Sequence, residues 1–144
     1  MLNQIKELCS VMMEFKQALN QISPQSAEDR TATILQYSTL DYLSKNNKSG
    51  MSAIASHLHI SLSSATQLIE RLVRAGYINR IDDKIDRRIV QLEITNAGEQ
   101  ELVVLRKSFH SKMEKAFSSI SKEDLNEFIR IQRLVIANMQ EKKI

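Results

Sequence analysis

The side chains with the most distinctive chemistry lie between residues 61 and 76, where apolar residues recur at helical spacing. One side of this predicted helix is polar, with hydroxyl groups near its beginning, then an amide, then basic groups. These residues are Ser63, Ser64, Gln67, Arg71 and Arg74, with Thr66 at the border of this side. Hydroxyl groups allow close approach to base edges and phosphates, glutamine can pair with adenine, and arginine can bind guanine or a phosphate. The pattern predicts a nucleic-acid contact; the alternative is a solvated face on which Glu70 pairs with Arg74.

Two short helices joined by a tight turn would position this polar side. The opposite side of the second helix is apolar and is predicted to be buried; it consists of Leu62, Ala65, Leu68, Ile69, Leu72 and Val73. Ser61 is the predicted N-cap of this helix, and Gly76 marks its predicted C-terminal end. The preceding helix, residues 51–58, has Ser52 as its predicted N-cap and ends only two residues before Ser61. So short a turn between two helices is typical of a helix-turn-helix motif.

A β-hairpin is predicted directly after this pair of helices. The hydrophobic period changes from that of a helix to that of a strand. Ile78 and Ile81 belong to a first short strand, and Val90, Leu92 and Ile94 share one face of a second strand. Such a hairpin behind a helix-turn-helix motif is a wing, so we expect a winged helix-turn-helix fold with a two-stranded β-wing.

The loop of this hairpin carries the second set of candidate nucleic-acid contacts. They are the basic residues Lys84, Arg87 and Arg88, and Asp86 can pair with either arginine and orient the loop. Arginine at a hairpin tip can enter a narrow minor groove, where the electrostatic potential is negative. Arg88 has the strand parity of Val90, so its stem is expected to lean towards the domain while Arg87 extends outwards. Which arginine enters a groove stays open, and a mixed-charge turn without a partner is the alternative.

Long amphipathic helices are predicted at both ends of the chain. The first runs from Leu2 to Ile22, Pro24 ends it, and a polar loop precedes a second helix from about Thr31. Two more helices follow the hairpin, one capped by Thr95 or Asn96 and one that begins at Ser121.

The apolar stripes of the first and last helices are too continuous to stay exposed in a monomer. They include Leu8, Met12, Phe15, Phe128, Val135 and Met139. Two chains that pack these helices together form a two-fold homodimer. We therefore expect an N-terminal dimerisation helix and loop at 1–30, a winged helix-turn-helix domain at 31–95, and C-terminal dimerisation helices at 96–144.

Composition limits the remaining classes. The 144 residues carry 20 basic and 17 acidic side chains, a net charge of +3, so a nucleic-acid partner would be bound through local patches. No apolar run is long enough to span a membrane, and the N-terminus does not resemble a secretory signal. Cys9 is the only cysteine, which fits a reducing cytoplasm, and its place on the apolar stripe predicts a buried, structural thiol.

Catalytic and metal-binding patterns are not recognised in the sequence. His57, His59 and His110 lack the spacing and the cysteine partners of a zinc site, so we expect no metal and no cofactor. No motif for phosphate binding, metalloprotease or serine-hydrolase chemistry is found, so an enzyme is not expected.

The segment SAIASHLHISLSSATQLIERLVRAGYINR, then Asp86-Arg87-Arg88 and then residues 94–98, ITNAG, resembles the MarR (multiple-antibiotic-resistance regulator) family of winged-helix repressors. The resemblance covers nearly the whole chain. It implies that the helix after Ser61 contacts DNA, that Arg88 or its neighbour enters the minor groove, and that the first and the last two helices form the dimer interface. The family commonly has glycine where His59 stands and a basic residue where Gln67 stands. His59 must therefore adopt a turn conformation that glycine adopts more easily, and Gln67 favours base contacts over phosphate contacts.

Residues and resemblance together predict a homodimeric transcription regulator, most often a repressor, that binds a pseudo-palindromic site in double-stranded DNA. A small-molecule effector or an oxidant would release it from the DNA. The alternative is a winged-helix adaptor that binds another protein and not DNA, with which the modest charge and Gln67 are compatible.

Overall fold

The computed structural model describes residues 1–22, 27–86 and 88–141. The chain divides into two compact units, residues 1–107 and residues 108–144. Six helices and three strands are described; in chain order they are α1 (Leu2–Ile22), α2 (Ala27–Lys45), β1 (Ser49–Gly50), α3 (Met51–Leu58), α4 (Leu62–Arg74), β2 (Ile78–Asp82), β3 (Val90–Ile94), α5 (Asn96–Ala116) and α6 (Lys122–Glu141). The predicted mainly helical winged helix-turn-helix fold is confirmed. The predicted end of the first helix at Pro24 lies outside the described residues, and α2 begins at Ala27 rather than at about Thr31.

The wing belongs to a three-stranded antiparallel sheet with the strand order β1-β3-β2. The sequence predicts only its two longer strands, because a strand of two residues has no period and Ser49–Gly50 ends a polar stretch. β1 pairs with β3 through Ser49 opposite Leu92 and Gly50 opposite Gln91. In the hairpin itself, the opposed pairs are Ile78 with Ile94, Asn79 with Glu93, Arg80 with Leu92, Ile81 with Gln91, and Asp82 with Val90.

The core of the first unit lies where α2, α3, α4 and the sheet meet. Its buried apolar residues are Leu40, Leu43, Ile54, Leu68, Ile69, Leu72, Ile78, Leu92 and Leu102. Thr39 is also fully buried, and its hydroxyl donates to the Leu35 carbonyl at 2.7 Å, so its polar group is satisfied inside the helix. The buried face of α4 is therefore packed against α2, α3 and the sheet, and this packing fixes the direction in which its polar face points.

The start of α3 differs from the prediction. Gly50, and not Ser52, is the N-cap, with φ −80° and ψ 162° and without a side-chain capping bond. The pairing of β1 with β3 holds Gly50 in an extended conformation immediately before the helix, which leaves Ser52 inside the first turn. At the other end, His59 has φ 52° and ψ 42°, so it adopts the left-handed turn conformation that was expected at this position.

The end of α4 is closed by backbone hydrogen bonds around Gly76, whose φ is 82°. The Gly76 amide donates to the Val73 carbonyl at 2.9 Å and the Tyr77 amide to the Leu72 carbonyl at 3.0 Å. This is the Schellman arrangement, which requires a residue in the left-handed region, and glycine adopts that region without strain.

The start of α5 is tied to that same turn. The Thr95 hydroxyl donates to the Gly76 carbonyl at 2.6 Å and accepts from the Gly98 amide at 3.0 Å, while the Thr95 amide donates to the Tyr77 carbonyl at 3.0 Å. Thr95, and not Asn96, is therefore the N-cap of α5. Gly98 is buried so closely that a Cβ atom there would overlap the Tyr77 carbonyl oxygen and lie 2.7 Å from Ile94 Cγ1. The end of α4 and the start of α5 thus form one joint.

A polar network fastens α5 to α2 within the first unit. Asp41 accepts from Lys45 at 2.6 Å and from Arg106 at 2.9 Å. The hydrogen bond from Lys45, followed by the one from Arg106, holds the pKa of the Asp41 carboxyl below its usual range. Arg106 also hydrogen-bonds to Tyr37, so the guanidinium connects two side chains of α2.

The terminal helices leave their apolar faces open in the single chain. On α1 the exposed large hydrophobic residues are Leu2, Ile5, Leu8, Val11, Met12, Met13 and Phe15, and on α6 they are Phe128, Ile129, Ile131, Leu134, Val135, Ile136 and Met139. Cys9 is exposed as well, so the expectation of a buried thiol is wrong for the single chain. Within residues 1–22, 27–86 and 88–141, no helix is long and apolar enough to cross a membrane.

Candidate nucleic-acid interface

The polar side of α4 is exposed from its first turn to its last, except at Thr66. Ala65, Leu68, Ile69 and Leu72 are buried, whereas Ser63, Ser64, Gln67, Arg71 and Arg74 are exposed and Thr66 is half-buried. The structure therefore places all six predicted helix residues on or beside one solvent-facing surface. We call this surface the α4 polar face.

A cluster of hydroxyl groups begins this face. The Ser61 hydroxyl accepts from the Ser64 amide at 3.1 Å, which confirms Ser61 as the N-cap of α4. It also donates to the Ser64 hydroxyl at 2.9 Å and lies 3.1 Å from the Ser63 hydroxyl. Each hydroxyl has one donor and two acceptor positions, so Ser63 and Ser64 keep bonding capacity for an outside partner. The cluster lies at the end of the helix where an anion is favoured.

Further along the face, the polar groups have few internal partners. Within the described part of the chain, Glu70 and Arg74 do not form an ion pair, so the alternative in which these residues bind each other does not hold. Arg71 and Arg74 are exposed in the last turn of α4. Their guanidinium groups are consequently open to a phosphate or a base.

The wing loop is organised by two aspartates. The Asp83 carboxylate accepts from the Ile85 amide at 2.7 Å and from the Asp86 amide at 3.2 Å. These two backbone donors, of which Ile85 has the larger effect, hold the pKa of the Asp83 carboxyl below its usual range. The loop is closed by the Asp83 amide on the Ile89 carbonyl and by the Ile89 amide on the Asp86 carbonyl, both at 3.0 Å.

Asp86 in turn binds Arg88. Its Oδ1 accepts from the Arg88 amide at 3.0 Å and lies 3.4 Å from the Arg88 Nε. The Arg88 side chain is 93% exposed and does not lean towards the domain. Strand parity fails here because Arg88 lies in the turn, two residues before β3 begins. Lys84 is also exposed on the loop, while Arg87 lies outside the described residues.

Leu62, beside this face, is more exposed than its position in the sequence predicts. The helical period predicts it on the buried side of α4, but its side chain is 54% exposed. The helical period placed it at the edge of the apolar stripe, and as the first residue of α4 it lies at the end of the helix that extends beyond the core.

Replacement of the N-cap gives a direct test of this local structure. Ser61→Ala is expected to lower the free energy of unfolding by about 1 kcal/mol, because the Ser64 amide loses its acceptor. Ser52→Ala is the matched control; since Ser52 lies inside α3 and not at its N-cap, no loss is expected. Urea denaturation followed by circular dichroism measures both. Equal losses for the two variants would show that the Ser61 cap contributes nothing specific.

Comparison with known proteins agrees with this geometry. Residues 32–90 match the model of the MarR family, a stretch that contains α3, α4 and the wing loop. The chain is 34% identical over 88 residues to the uncharacterized HTH-type transcriptional regulator YpoP of Bacillus subtilis, a region that covers 61% of each chain. The chain spans about three fifths of the length of the curated relatives it matches.

Solved structures extend the likeness to nearly the whole chain. The transcriptional regulator BldR from Sulfolobus solfataricus has a TM-score of 0.73 at 19% identity, over 94% of this chain and 96% of that one. The PcaV transcriptional regulator from Streptomyces coelicolor, in complex with its natural ligand, has a TM-score of 0.66 at 16% identity, over 88% and 89%. At these identities the likeness concerns the fold. The match of residues 32–90 confirms the resemblance to the MarR family, and the relatives named here are described as transcriptional regulators.

Proposed function

We propose, from the premise that this chain has the fold of the MarR-type transcription regulators, that it binds double-stranded DNA with the α4 polar face. In this proposal α4 lies in the major groove, the wing loop contacts the minor groove, and the protein acts as a repressor in a prokaryotic cytoplasm. Gln67 contacts a base, Ser63, Ser64 and Thr66 lie close to base edges or phosphates, and Arg71 and Arg74 bind phosphates.

The observation that carries the proposal is the exposure of this face. Residues of opposite charge three or four positions apart can pair on a helix surface and engage each other's charged groups. Here Arg71 and Arg74 are exposed without an ion pair in the described part of the chain, on a helix whose other side is locked into the core. A fixed helix with available donors is what recognition of a duplex requires.

The wing supports the same proposal. Arg88 is exposed at the loop and its stem is held by Asp86. Because the Asp83 and Asp86 carboxylates are already bound to backbone amides of the loop, part of their negative charge is engaged within the wing. We propose that Arg88 is the arginine that enters the minor groove, with Lys84 and Arg87 beside it on phosphates.

Sequence-specific binding can be tested with an operator selected from a random DNA library by the wild-type protein. Gln67→Ala is expected to weaken binding to that site by about 1–3 kcal/mol and to relax the base preference. Gln100→Ala, an exposed glutamine on α5, is the control and is expected to bind as wild type does. Titration by fluorescence anisotropy measures each variant. Failure of the wild type to select any sequence would favour the alternative function, a winged-helix adaptor for another protein.

We further propose that the protein acts as a homodimer through its terminal helices. The support is the large apolar area that α1 and α6 each expose in the single chain, more than a monomer usually leaves in water. Light scattering at micromolar concentration is expected to give roughly twice the 16.5 kDa of one chain. A monomer that still binds the selected site would contradict the dimer.

Release by a small-molecule effector completes the proposal. Its support is the fold shared with PcaV, a transcriptional regulator whose structure contains its natural ligand. An effector that shifts the distance between the two α4 helices of a dimer would lower the affinity for a site with fixed half-site spacing.

A further inference from the structure

The first turn of α4 exposes apolar groups where a helix of this kind meets DNA. Leu62 directly follows the N-cap Ser61, and more than half of its side chain is exposed. Among the described residues from 49 to 94, the exposed large hydrophobic side chains are Leu62, Ile85 and Ile89. The other two lie in the wing loop, so Leu62 is the one such side chain on a helix of this segment.

Thr66 adds a second apolar group one turn later. Its hydroxyl donates to the Leu62 carbonyl at 2.8 Å, so its only hydrogen-bond proton is used inside the helix. With its proton engaged in this way, the half-buried Thr66 offers an outside partner its methyl group and an acceptor oxygen, but no donor. Since residues four apart lie on the same face of a helix, the Thr66 methyl group is on the same edge as Leu62.

A base can be identified from this chemistry. In the major groove, thymine alone of the four bases presents a methyl group, and apolar side chains recognise it. The first turns of a recognition helix are the part that approaches base edges. An exposed leucine beside a threonine methyl group therefore matches a thymine better than it matches any polar base edge or a phosphate.

We propose that Leu62 and the Thr66 methyl group recognise the C5-methyl group of a thymine in each half-site. This inference rests on the proposed function, because it concerns the base preference of the same α4 polar face. It assigns a specificity role to Leu62, and it gives Thr66 an apolar role instead of a hydrogen bond to the DNA.

Deoxyuridine provides the test, because it pairs as thymine does and lacks only the methyl group. Each thymine of the selected operator is replaced in turn by deoxyuridine, and the dissociation constant is measured by anisotropy. For the wild type, one position in each half-site is expected to lose about fourfold in affinity, the fold-change that corresponds to one buried methyl group. The remaining thymines are expected to show little change.

Protein variants then identify the contact. Leu62→Ala is expected to bind the thymine and deoxyuridine operators with nearly equal affinity. Thr66→Val keeps the methyl group and is expected to discriminate as the wild type does, whereas Thr66→Ser keeps the hydroxyl group and is expected to discriminate less. Ile85→Ala is the matched control from the wing, and it should retain the full deoxyuridine effect because the minor groove presents no thymine methyl group.

The outcomes separate this inference from the function on which it rests. If the wild type binds no DNA with sequence preference, the proposed function is overturned, and the inference with it. If it binds specifically but Leu62→Ala and Thr66→Ser discriminate as well as the wild type, only the inference is overturned. Should Leu62→Ala fail to fold, as judged by circular dichroism, the Thr66→Val and Thr66→Ser pair decides the question.

Discussion

Raising the salt concentration from about 50 to about 200 mM is expected to weaken operator binding by roughly 10³- to 10⁵-fold, for a homodimer that engages ~6–10 phosphates. Each basic group that neutralises a phosphate releases condensed cations, and this release is less favourable at high salt. The described winged-helix segment exposes enough basic groups for this number: Lys48, Arg71, Arg74, Arg80, Lys84 and Arg88. The net charge of +3 is too small for the effect to arise from the protein as a whole.

The slope of affinity against salt can be assigned to particular residues. Arg71→Gln is expected to reduce the slope of log affinity on log salt by about 2, since each subunit of the dimer loses one phosphate contact worth about 0.9. Lys107→Gln, an exposed lysine on α5, should leave the slope unchanged. Anisotropy titrations at several salt concentrations measure both variants. A nearly flat slope for the wild type would argue against DNA as the partner of this surface.

Gly98→Ala is expected to lower the free energy of unfolding by about 3 kcal/mol, among the largest losses for the addition of one methyl group. The new Cβ would overlap the Tyr77 carbonyl oxygen and crowd Ile94 Cγ1 at 2.7 Å. The carbonyl cannot move aside without loss of its hydrogen bond from the Thr95 amide. The substitution therefore separates the end of α4 from the start of α5, and we expect weaker DNA binding as well.

Gly50→Ala is the matched control for that substitution. Nothing lies within 4 Å of a Cβ built at Gly50, and its φ of −80° suits any residue. The free energy of unfolding is expected to change by less than about 1 kcal/mol, because alanine reduces the freedom of the unfolded chain but is a poorer N-cap than glycine. Urea denaturation of the two variants at equal protein concentration gives the comparison. A Gly98→Ala protein as stable as Gly50→Ala would contradict the tight joint.

Periodicity identified the helices and the hairpin because their buried sides repeat at fixed intervals. The buried residues of α4 from Ala65 to Leu72 follow the predicted stripe, and Ser61 caps the helix as its hydroxyl group and position indicate. Residues 94–98 resemble a known family, and the joint between the end of α4 and the start of α5 explains why these residues are needed. Thr95 binds both helix ends, and Gly98 is the residue that lets them approach.

The features that sequence analysis missed depend on groups distant in the chain. Gly50, and not Ser52, is the N-cap because its pairing with β3 holds it in an extended conformation. The helical pattern of residues 51–58 does not depend on that distant strand and so cannot predict this. The alternation of side chains along β3 does not apply to Arg88, because this strand begins only at Val90. Leu62 was assigned to the core from its angle on the helix, whereas its exposure is decided by where the neighbouring elements end.

The pairing of β1 with β3 also constrains the order in which the protein can fold. Ser49 precedes α3, but its strand partner Leu92 follows α4 and β2 in the chain. A nascent chain cannot complete the sheet until Leu92 has been synthesised, and the ends of a long loop must then come together, which slows folding. Until that moment, the apolar side of α4 has neither the sheet nor Leu102 to cover it. A chain that stops after α4 is therefore expected to leave part of the apolar side of this helix uncovered, with Leu68, Ile69 and Leu72, and to aggregate more readily.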